Sequence, residues 1–262
     1  MRRRWEGRQV SDLAHAWDLE ALEIHDRLGS TADRLRERVD GGLRPWAVVL
    51  AEAQTAGRGR DGRVWSSAAG RGLWMSVLAP VLTDGRPAPL LAGVAVAEAI
   101  ERAFAPLAPR LKWPNDVELG GRKIAGILCE TAPGAPLRIG IGVNVLHHRE
   151  DFPPELQGLA TSIVEAGGPT EPGSRARLAG AILERLRAAW SAPASAWHAA
   201  WSARDALHGR QVRCDAGPSG EAMGVDEAGG LRVRTSEGSV VVVRSGGVRA
   251  VVDSTADAPP QP

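Results

Sequence analysis

The segment RLKWPNDVELGGRKIAGILCE, residues 110–130, decides the fold more than any other part of the chain. Gly120-Gly121 divides it into two strand-like runs, and paired glycines are typical of the tight turns between antiparallel strands. A third such run, LRIGIGVNV, follows after the turn-forming residues APGAP. Pro114 cannot donate a ladder hydrogen bond, so we expect the first run to kink there. The three runs together predict an antiparallel meander.

The rest of the first 204 residues predicts helices around a mixed or antiparallel sheet, which is an α+β fold. Residues 22–28 suit a short strand or a loop, and apolar runs of strand length occur at 46–54 and 72–80. Helical length and period mark residues 29–39, 89–104 and 174–201, and the last of these is interrupted near Pro193.

The C-terminal part of the chain has a different pattern. From about residue 207, Val-rich runs alternate with Gly and Ser turns, which predicts a small all-β module. The final residues, DSTADAPPQP, are polar and rich in proline, and they predict a disordered tail. We therefore expect three parts, at 1–204, 205–252 and 253–262.

Composition excludes several classes of protein. The 262-residue chain has a formal net charge of +1, without the basic excess of general nucleic-acid binders. Its N-terminus lacks the apolar h-region of a secretory leader, and its longest apolar run, residues 90–100, is too short to span a bilayer. Cys129 and Cys214 match no metal-binding or redox spacing. These features predict a cytoplasmic protein with reduced thiols.

Lysine is rare in this chain, and its two positions are informative. Of 32 basic residues, only Lys112 and Lys123 are lysines. So strong a bias indicates that arginine has replaced lysine wherever only charge mattered. The two lysines are therefore candidates for sites that need a compact ammonium group, with chance survival as the alternative.

The segment AGRGRDGRVW, residues 56–65, combines three arginines with three glycines. The glycines allow the backbone to approach a ligand closely, and the forked guanidinium groups suit phosphate or carboxylate. An anion-binding loop is the functional interpretation, with an exposed basic turn or a nucleic-acid contact as alternatives. Trp65 at its end would either stack on a ligand ring or belong to the core.

Lys112 and Asp116 lie two residues on either side of the Pro114 kink. An aspartate there can hold a metal ion beside phosphates, or orient and deprotonate an amine. A simple Asn-Asp turn with a surface lysine is the alternative explanation.

Strand alternation places Lys123 on the face of Ala125, Ile127 and Cys129. A lysine in such apolar surroundings needs an anionic partner, unless it reaches solvent from the end of the strand. Gly126 in mid-strand indicates a place where a ligand comes close to the backbone. We interpret Cys129 as a core residue rather than a nucleophile, because no histidine is nearby in sequence.

Two further positions carry weaker signals. Ser30 and Thr31 begin a predicted helix with an S-x-x-D cap pattern, where free N–H groups can meet an acceptor or an anion. Asn144, in the run GIGVNV, suits either an adenine edge or a buried turn.

Taken together, these motifs resemble the biotin protein ligases, also called biotin–[acetyl-CoA-carboxylase] ligases. The matching segments, in the order and spacing of that family, are GST at 29–31, QTAGRGRDGRVW at 54–65, LKWPNDV at 111–117, GRKIAGIL at 121–128 and GIGVNV at 140–145. The resemblance implies an α+β catalytic domain of the class II synthetase-like, biotin/lipoate ligase type. It also implies an SH3-like β-barrel at the C-terminus.

The resemblance implies a reaction in two steps. Biotin and ATP, with Mg²⁺, first give biotinyl-5′-AMP and pyrophosphate. A lysine of a biotin carboxyl carrier protein, from acetyl-CoA carboxylase or another biotin-dependent carboxylase, then takes the biotinyl group. A homodimer paired through the meander is left open.

Roles of individual residues follow by position in the resemblance. The catalytic positions are Lys123, which bridges the biotin carboxylate and the α-phosphate, Arg60, which clamps the same phosphate, and Asp116. The biotin-binding positions are Ser30, Thr31, Ala32, Gln54, Arg58, Gly59, Arg60, Lys123 and Gly126. The nucleotide-binding positions are Arg60, Arg63, Trp65, Lys112, Asn115 and Asn144. No fixed metal site is implied, and Mg²⁺ would arrive with ATP, with Asp116 as a candidate ligand.

The chain departs from the family pattern in two positions. Ala32 replaces the usual Asn after Ser-Thr, and Asp61 replaces a frequent basic residue of the loop. Only 29 residues precede the Ser-Thr motif, so we expect a ligase without a DNA-binding domain. The competing interpretations are a lipoate or octanoate protein ligase, and a biotin-sensing regulator that forms no amide.

Overall fold

The computed structural model describes residues 1–39, 41–131, 135–215 and 217–251, so the predicted tail at 253–262 lies outside the described residues. The helices are α1 Val10–Ala16, α2 Thr31–Val39, α3 Ala88–Ala103, α4 Ser174–Ser191 and α5 Ala196–Ser202. The strands are β1 Arg4–Trp5, β2 Arg8–Gln9, β3 Leu22–Leu28, β4 Val48–Gln54, β5 Gly72–Ala79, β6 Arg110–Lys112, β7 Asp116–Leu119, β8 Arg122–Glu130, β9 Leu137–Asn144, β10 Gln211–Cys214, β11 Ser219–Val225, β12 Leu231–Arg234, β13 Val240–Val243 and β14 Val248–Ala250.

A seven-stranded mixed sheet forms the body of the fold, with strand order β3-β4-β5-β9-β8-β7-β6. Strands β3 and β4 are parallel, and every other neighbouring pair is antiparallel. The predicted meander is confirmed in β7, β8 and β9. The prediction that the first run of the meander forms a single kinked strand is wrong, because Lys112 pairs directly with Asp116 and the chain reverses between them. Pro114, which cannot donate to a ladder, lies in that turn.

Helices cover both faces of this sheet. On one face, α3 packs against β6, β7 and β8 and also against α4. The alternate residues Ile139, Ile141 and Val143 of β9 point into this core. On the other face, α2 packs on β4, β5 and β9 through a smaller cluster around Leu35 and Val49. The glycines of β8 and β9 lie on this second face, beyond α2.

The C-terminal strands form a separate five-stranded antiparallel sheet, with order β13-β12-β11-β10-β14. This confirms the predicted all-β module, although no ladder between β13 and β14 closes it into a barrel within the described residues. The turn between β11 and β12 of the small sheet contacts the β6–β7 turn and the start of α3. Trp113 Nε1 donates a 2.8 Å hydrogen bond to the Gly229 carbonyl, and a Cβ at Gly229 would lie 2.6 Å from Pro87 Cβ, at the start of α3.

The N-terminal hairpin β1–β2 and helix α1 were not predicted, and a buried ionic cluster holds them in place. Arg175 of α4 lies 2.6 Å from Glu52 and 2.6 Å from Glu6, and its guanidinium stacks 5.4 Å from the Trp5 ring. Burial works against the charge of Arg175, but its bonds to Glu52 and Glu6 outweigh burial and raise its pKa.

Among the described helices, none is long and apolar enough to cross a membrane.

Candidate active site

The glycine- and arginine-rich loop folds back on itself as a short irregular hairpin. Trp65 N donates to the Gly57 carbonyl at 2.9 Å, and Gly59 N donates to the Arg63 carbonyl at 2.8 Å. Between them the chain makes one 3-10 turn, in which Asp61 has a left-handed φ of 56°. A Cβ at Gly57 would lie 2.6 Å from the Trp65 carbonyl oxygen, so only glycine fits there. The loop therefore has a defined conformation rather than that of an open basic turn.

The indole of Trp65 lies on a floor made of glycines. A Cβ at Gly126 or Gly142 would come within 2.7 Å of the indole ring. Trp74 meets the other side of the indole edge-on, with centroids 6.3 Å apart. Trp65 is half-buried, and its Nε1 has no hydrogen-bond partner among the residues described. The glycines of β8 and β9 thus allow an aromatic ring to lie flat against the sheet.

The start of α2 joins the end of β4 in a compact polar corner. Gln54 Oε1 accepts hydrogen bonds from Thr31 N at 2.8 Å and from Thr31 Oγ1 at 3.1 Å. Thr31 Oγ1 also lies 2.8 Å from Ser76 Oγ, and Gln54 Nε2 donates to Ser67 Oγ at 3.0 Å. The structure thus brings together two of the predicted biotin-binding residues. It adds two hydroxyls that the sequence analysis missed.

Ser30 and Ala32 belong to the same corner and are both buried. Ser30 Oγ accepts a 3.2 Å hydrogen bond from Ala32 N, as expected for a residue that caps the start of a helix. Asp33, the fourth residue of the cap pattern, forms its ion pair with Arg58 instead.

Arg58 is held by two carboxylates from different elements. Its guanidinium bonds both Asp33 oxygens, at 2.5 and 3.1 Å, and it lies 3.6 Å from Glu130. The hydrogen bond with Arg58 holds the pKa of Asp33 below its usual range, and the same bond raises the pKa of Arg58. Neither acid was predicted, because Asp33 reads as a helix cap and Glu130 as the end of a strand.

The other two arginines of the loop point toward the C-terminal sheet. Arg60 Nη1 lies 3.4 Å from Asn115 Oδ1 and 3.4 Å from the Gly246 carbonyl. Arg63 is exposed, and its Nη2 lies 3.9 Å from the position that a Cβ would take at Gly247. Asn115 is itself bonded to β8, donating from Nδ2 to the Ile127 carbonyl at 2.8 Å.

Lys123 pairs with Asp116, and a β-bulge places it there. Lys123 Nζ lies 2.6 Å from Asp116 Oδ1 and 5.1 Å from the Trp65 ring. The register of β7 and β8 shifts by one residue, so that Ile124 is the extra residue between two aligned pairs. The predicted alternation is therefore wrong for Lys123, which shares a face with Gly126 rather than with the core residues Ala125 and Ile127.

The second lysine of the chain is also held by a carboxylate of β7. Lys112 Nζ donates a 2.9 Å hydrogen bond to Glu118 Oε1. Glu118 is buried and was not predicted, since in sequence it is one acid in a short strand. Asn144, on β9, is buried and donates to the Thr161 carbonyl at 3.0 Å. The structure therefore gives Lys112 and Asn144 protein partners.

A cleft of about 300 Å³ opens between the loop, the β6–β7 turn and the small sheet. Arg60 of the loop, Asn115 of the turn and Leu128 of β8 line it on one side, and Arg244, which follows β13, lines it from the small sheet. Cys129 also faces this cleft, and burial, assisted by the nearby Glu130 charge, raises its pKa to about 12. The Cys129 thiol therefore stays protonated at neutral pH and is a poor nucleophile.

Two comparisons of the sequence with known proteins agree with this geometry. Residues 27–145 match the model of the Biotin/lipoate A/B protein ligase family. The biotin–[acetyl-CoA-carboxylase] ligase of Mycobacterium tuberculosis is 34% identical over 242 residues, which cover 87% of this chain and 88% of that protein. The chain belongs to the biotin protein ligase family. The bifunctional ligase/repressor BirA of Bacillus subtilis is 36% identical, over 83% of this ligase and 70% of its own length.

A solved structure extends the likeness to the whole fold. The biotin protein ligase from Aquifex aeolicus in complex with biotin and ATP has 28% sequence identity and a TM-score of 0.78. The match covers 89% of this ligase and 100% of the Aquifex chain. The predicted fold class is thereby confirmed. The roles of individual site residues stay predictions.

Proposed function

We propose that this ligase uses ATP to activate biotin as biotinyl-5′-AMP and then passes the biotinyl group to a lysine of a biotin carboxyl carrier protein. One observation carries the proposal. Lys123 contacts Asp116 beside the glycine floor of the sheet, and Arg60 contacts the adjacent residue Asn115. Two cations held by neighbouring residues suit a reaction that must unite two anions.

In the first step, a biotin carboxylate oxygen attacks the α-phosphorus of ATP. The new bond joins the carboxylate oxygen to the α-phosphorus, and the bond from the α-phosphorus to the oxygen that bridges it to the β-phosphorus breaks, so that pyrophosphate leaves with the electron pair. Like charges about 4 Å apart repel by roughly 4 kcal/mol at an effective dielectric near 20. Lys123 and Arg60 would reduce this repulsion, because their charges are in place before the substrates meet.

Biotin would lie along the polar corner at the start of α2. Ser30, Thr31 and Gln54 supply hydroxyl and amide groups there, and Arg58 and Gly59 border the same region. Ala32 has no polar side chain, so the ureido contact at that position would be made by the backbone or be lost. The nucleotide would lie on the side of Trp65, Arg63, Lys112, Asn115 and Asn144, with Gly126 between the two substrates.

In the second step, the acceptor lysine attacks the carbonyl carbon of biotinyl-5′-AMP. The ammonium group first loses one proton to solvent, and Asp116 is placed to accept the second proton of the nitrogen as the amide forms. The C–N bond forms, the bond between the carbonyl carbon and the phosphate oxygen breaks, and AMP leaves as an anion. Asp116 Oδ1 receives no well-directed hydrogen bond from the residues described, so only the Lys123 charge holds it.

Mg²⁺ would bind with ATP rather than in a preformed protein site. No cluster of three or more potential metal ligands occurs among the described residues. Asp116 can supply one carboxylate oxygen, and Mg²⁺ commonly takes one or two carboxylates together with phosphates and water. When bound, the ion would screen the phosphate charges.

Three other parts of the proposal concern the setting of the reaction. We place the catalytic domain at 1–204 and the SH3-like module at 205–252, which agrees with the start of the small sheet at Gln211.

Both cysteines are free, which supports a cytoplasmic location. A thioester intermediate of the octanoyl-transferase kind is disfavoured by the protonated Cys129 thiol.

The test is direct transfer by the purified protein. With biotin, MgATP and an apo carrier domain, we expect the carrier mass to increase by one biotinyl group. Without the carrier, biotinyl-5′-AMP should accumulate on the protein. Transfer of lipoate or octanoate in place of biotin would contradict the substrate, and tight biotin binding without amide formation would indicate a biotin sensor.

A further inference from the structure

Both lysines of the chain and two carboxylates form one charged group across β6, β7 and β8. In the ladder, Lys112 lies directly opposite Asp116, and Glu118 lies opposite Lys123. The ion pairs, however, cross the ladder diagonally. Lys112 Nζ lies 2.9 Å from Glu118 Oε1, and Lys123 Nζ lies 2.6 Å from Asp116 Oδ1.

The two pairs differ in how firmly they are held. The Glu118 side chain is 9% exposed and accepts a well-directed hydrogen bond from Lys112. A buried carboxylate needs such a partner, because an unpaired charge there is costly. Asp116 is more accessible, with 23% of its side chain exposed, and is held by charge alone among the described residues. The Lys112–Glu118 pair is therefore the firmer one.

Lys112 has an obvious alternative partner. Side chains directly opposite each other in an antiparallel pair have Cβ atoms about 4.5–5.5 Å apart, well within the reach of a lysine. Without Glu118, the nearest carboxylate on the facing strand would be Asp116. Glu118 thus determines that Asp116 has one lysine partner instead of two.

We propose that Glu118 is a positioning residue for biotin transfer, which keeps Lys112 away from Asp116. The inference rests on the proposed function. When Lys123 turns to the biotin carboxylate and the α-phosphate, Asp116 is released and can take the proton of the acceptor amine. If Lys112 were free, it would occupy Asp116 at that stage and compete with the amine.

The test separates the two half-reactions in Glu118→Gln. The rate of biotinyl-5′-AMP formation, measured by biotin-dependent pyrophosphate exchange, should change less than about threefold, because the Lys112 charge stays in the site. Single-turnover transfer from preformed biotinyl-5′-AMP should fall at least about tenfold, since a positioned general base contributes roughly 10²–10⁴-fold. A merely structural role would lower both half-reactions alike.

A second-site variant makes the test specific. In a Lys112→Gln background, Glu118→Gln should cost nothing further in transfer, because no lysine remains to occupy Asp116. Glu118→Asp, whose shorter side chain draws back from Lys112, should reproduce the transfer defect if Glu118→Gln folds poorly. Unaltered transfer in Glu118→Gln, or an equal loss in the Lys112→Gln background, would overturn the inference. A wild-type protein that forms no biotinyl-5′-AMP would instead overturn the proposed function.

Discussion

Replacing Lys123 by glutamine removes the charge closest to the expected reaction centre and keeps most of the side-chain volume. The repulsion to be screened is roughly 4 kcal/mol for two anions about 4 Å apart, which corresponds to about three decades of rate. The Lys123 side chain is 33% exposed, so water already screens part of this energy. Arg60 supplies a second cation. We therefore assign Lys123 about half of the total and expect biotinyl-5′-AMP formation to fall roughly 30- to 100-fold.

Lys123→Arg is the matched control, since it keeps the charge and changes the shape. A Cβ at Gly126 would lie 3.2 Å from Lys123 Cε, and the Trp65 ring lies 5.1 Å from Nζ, so a planar guanidinium has little room. We expect this variant to fall between wild type and glutamine. The free energy of unfolding of both variants should lie within about 1 kcal/mol of the wild-type value, because a part-exposed ion pair adds little stability.

The assay is biotin-dependent exchange of labelled pyrophosphate into ATP, with urea unfolding as the control for folding. A folded Lys123→Gln protein that exchanges pyrophosphate within threefold of wild type would refute the electrostatic argument. Equal losses in the glutamine and arginine variants would show that the shape of the ammonium group matters more than its charge.

Three further changes test other parts of the structure. Gly142→Ala puts a methyl group 2.6–2.7 Å from the Trp65 indole, so we expect the ring to be displaced. Urea unfolding should show a loss of about 1–3 kcal/mol in the free energy of unfolding, and the KM for ATP should rise. Arg175→Met leaves the buried Glu52 with Arg2 as its only cation among the described residues, and because the charge stays partly compensated it should lower the unfolding free energy by up to about 3 kcal/mol, while Arg177→Met on the exposed face of α4 should have little effect. Burial lowers the pKa of His147 from 6.5 to about 4. As the pH falls, the unfolded chain therefore takes up the His147 proton before the folded protein does. The contribution of neutral His147 to the free energy of unfolding is complete above pH 6.5 and decreases toward pH 4, by up to about 3 kcal/mol. His147→Phe should lack that loss, and parallel stability curves for both proteins would contradict this assignment.

Patterns of hydrophobicity and turn residues were sufficient to predict the larger elements. Residues 72–80 formed β5, residues 89–104 formed α3, and the break near Pro193 separated α4 from α5. These elements depend on local periodicity, which a single sequence displays. The N-terminal hairpin is held by Arg175, far away in the chain, and no local pattern indicates such a contact.

The sequence was sufficient to predict the motifs of the site, but not which charged side chains pair with each other. Strict alternation put Lys123 among apolar neighbours, whereas the bulge at Ile124 turns it toward the glycine floor. A bulge depends on how two strands align, and that alignment is a tertiary property. For the same reason Glu118 could not be recognised from the sequence, because its role comes from Lys112 on the neighbouring strand.

The central claim is that Lys123 leaves Asp116 for the substrates and so frees the carboxylate for the incoming amine. A crystal structure of the ligase with a non-hydrolysable analogue of biotinyl-5′-AMP measures this directly. We expect Lys123 Nζ within hydrogen-bond distance of the oxygens around the acyl–phosphate linkage, and Asp116 Oδ1 open toward solvent. A bound analogue with Lys123 still 2.6 Å from Asp116, as in the free protein, would contradict the account.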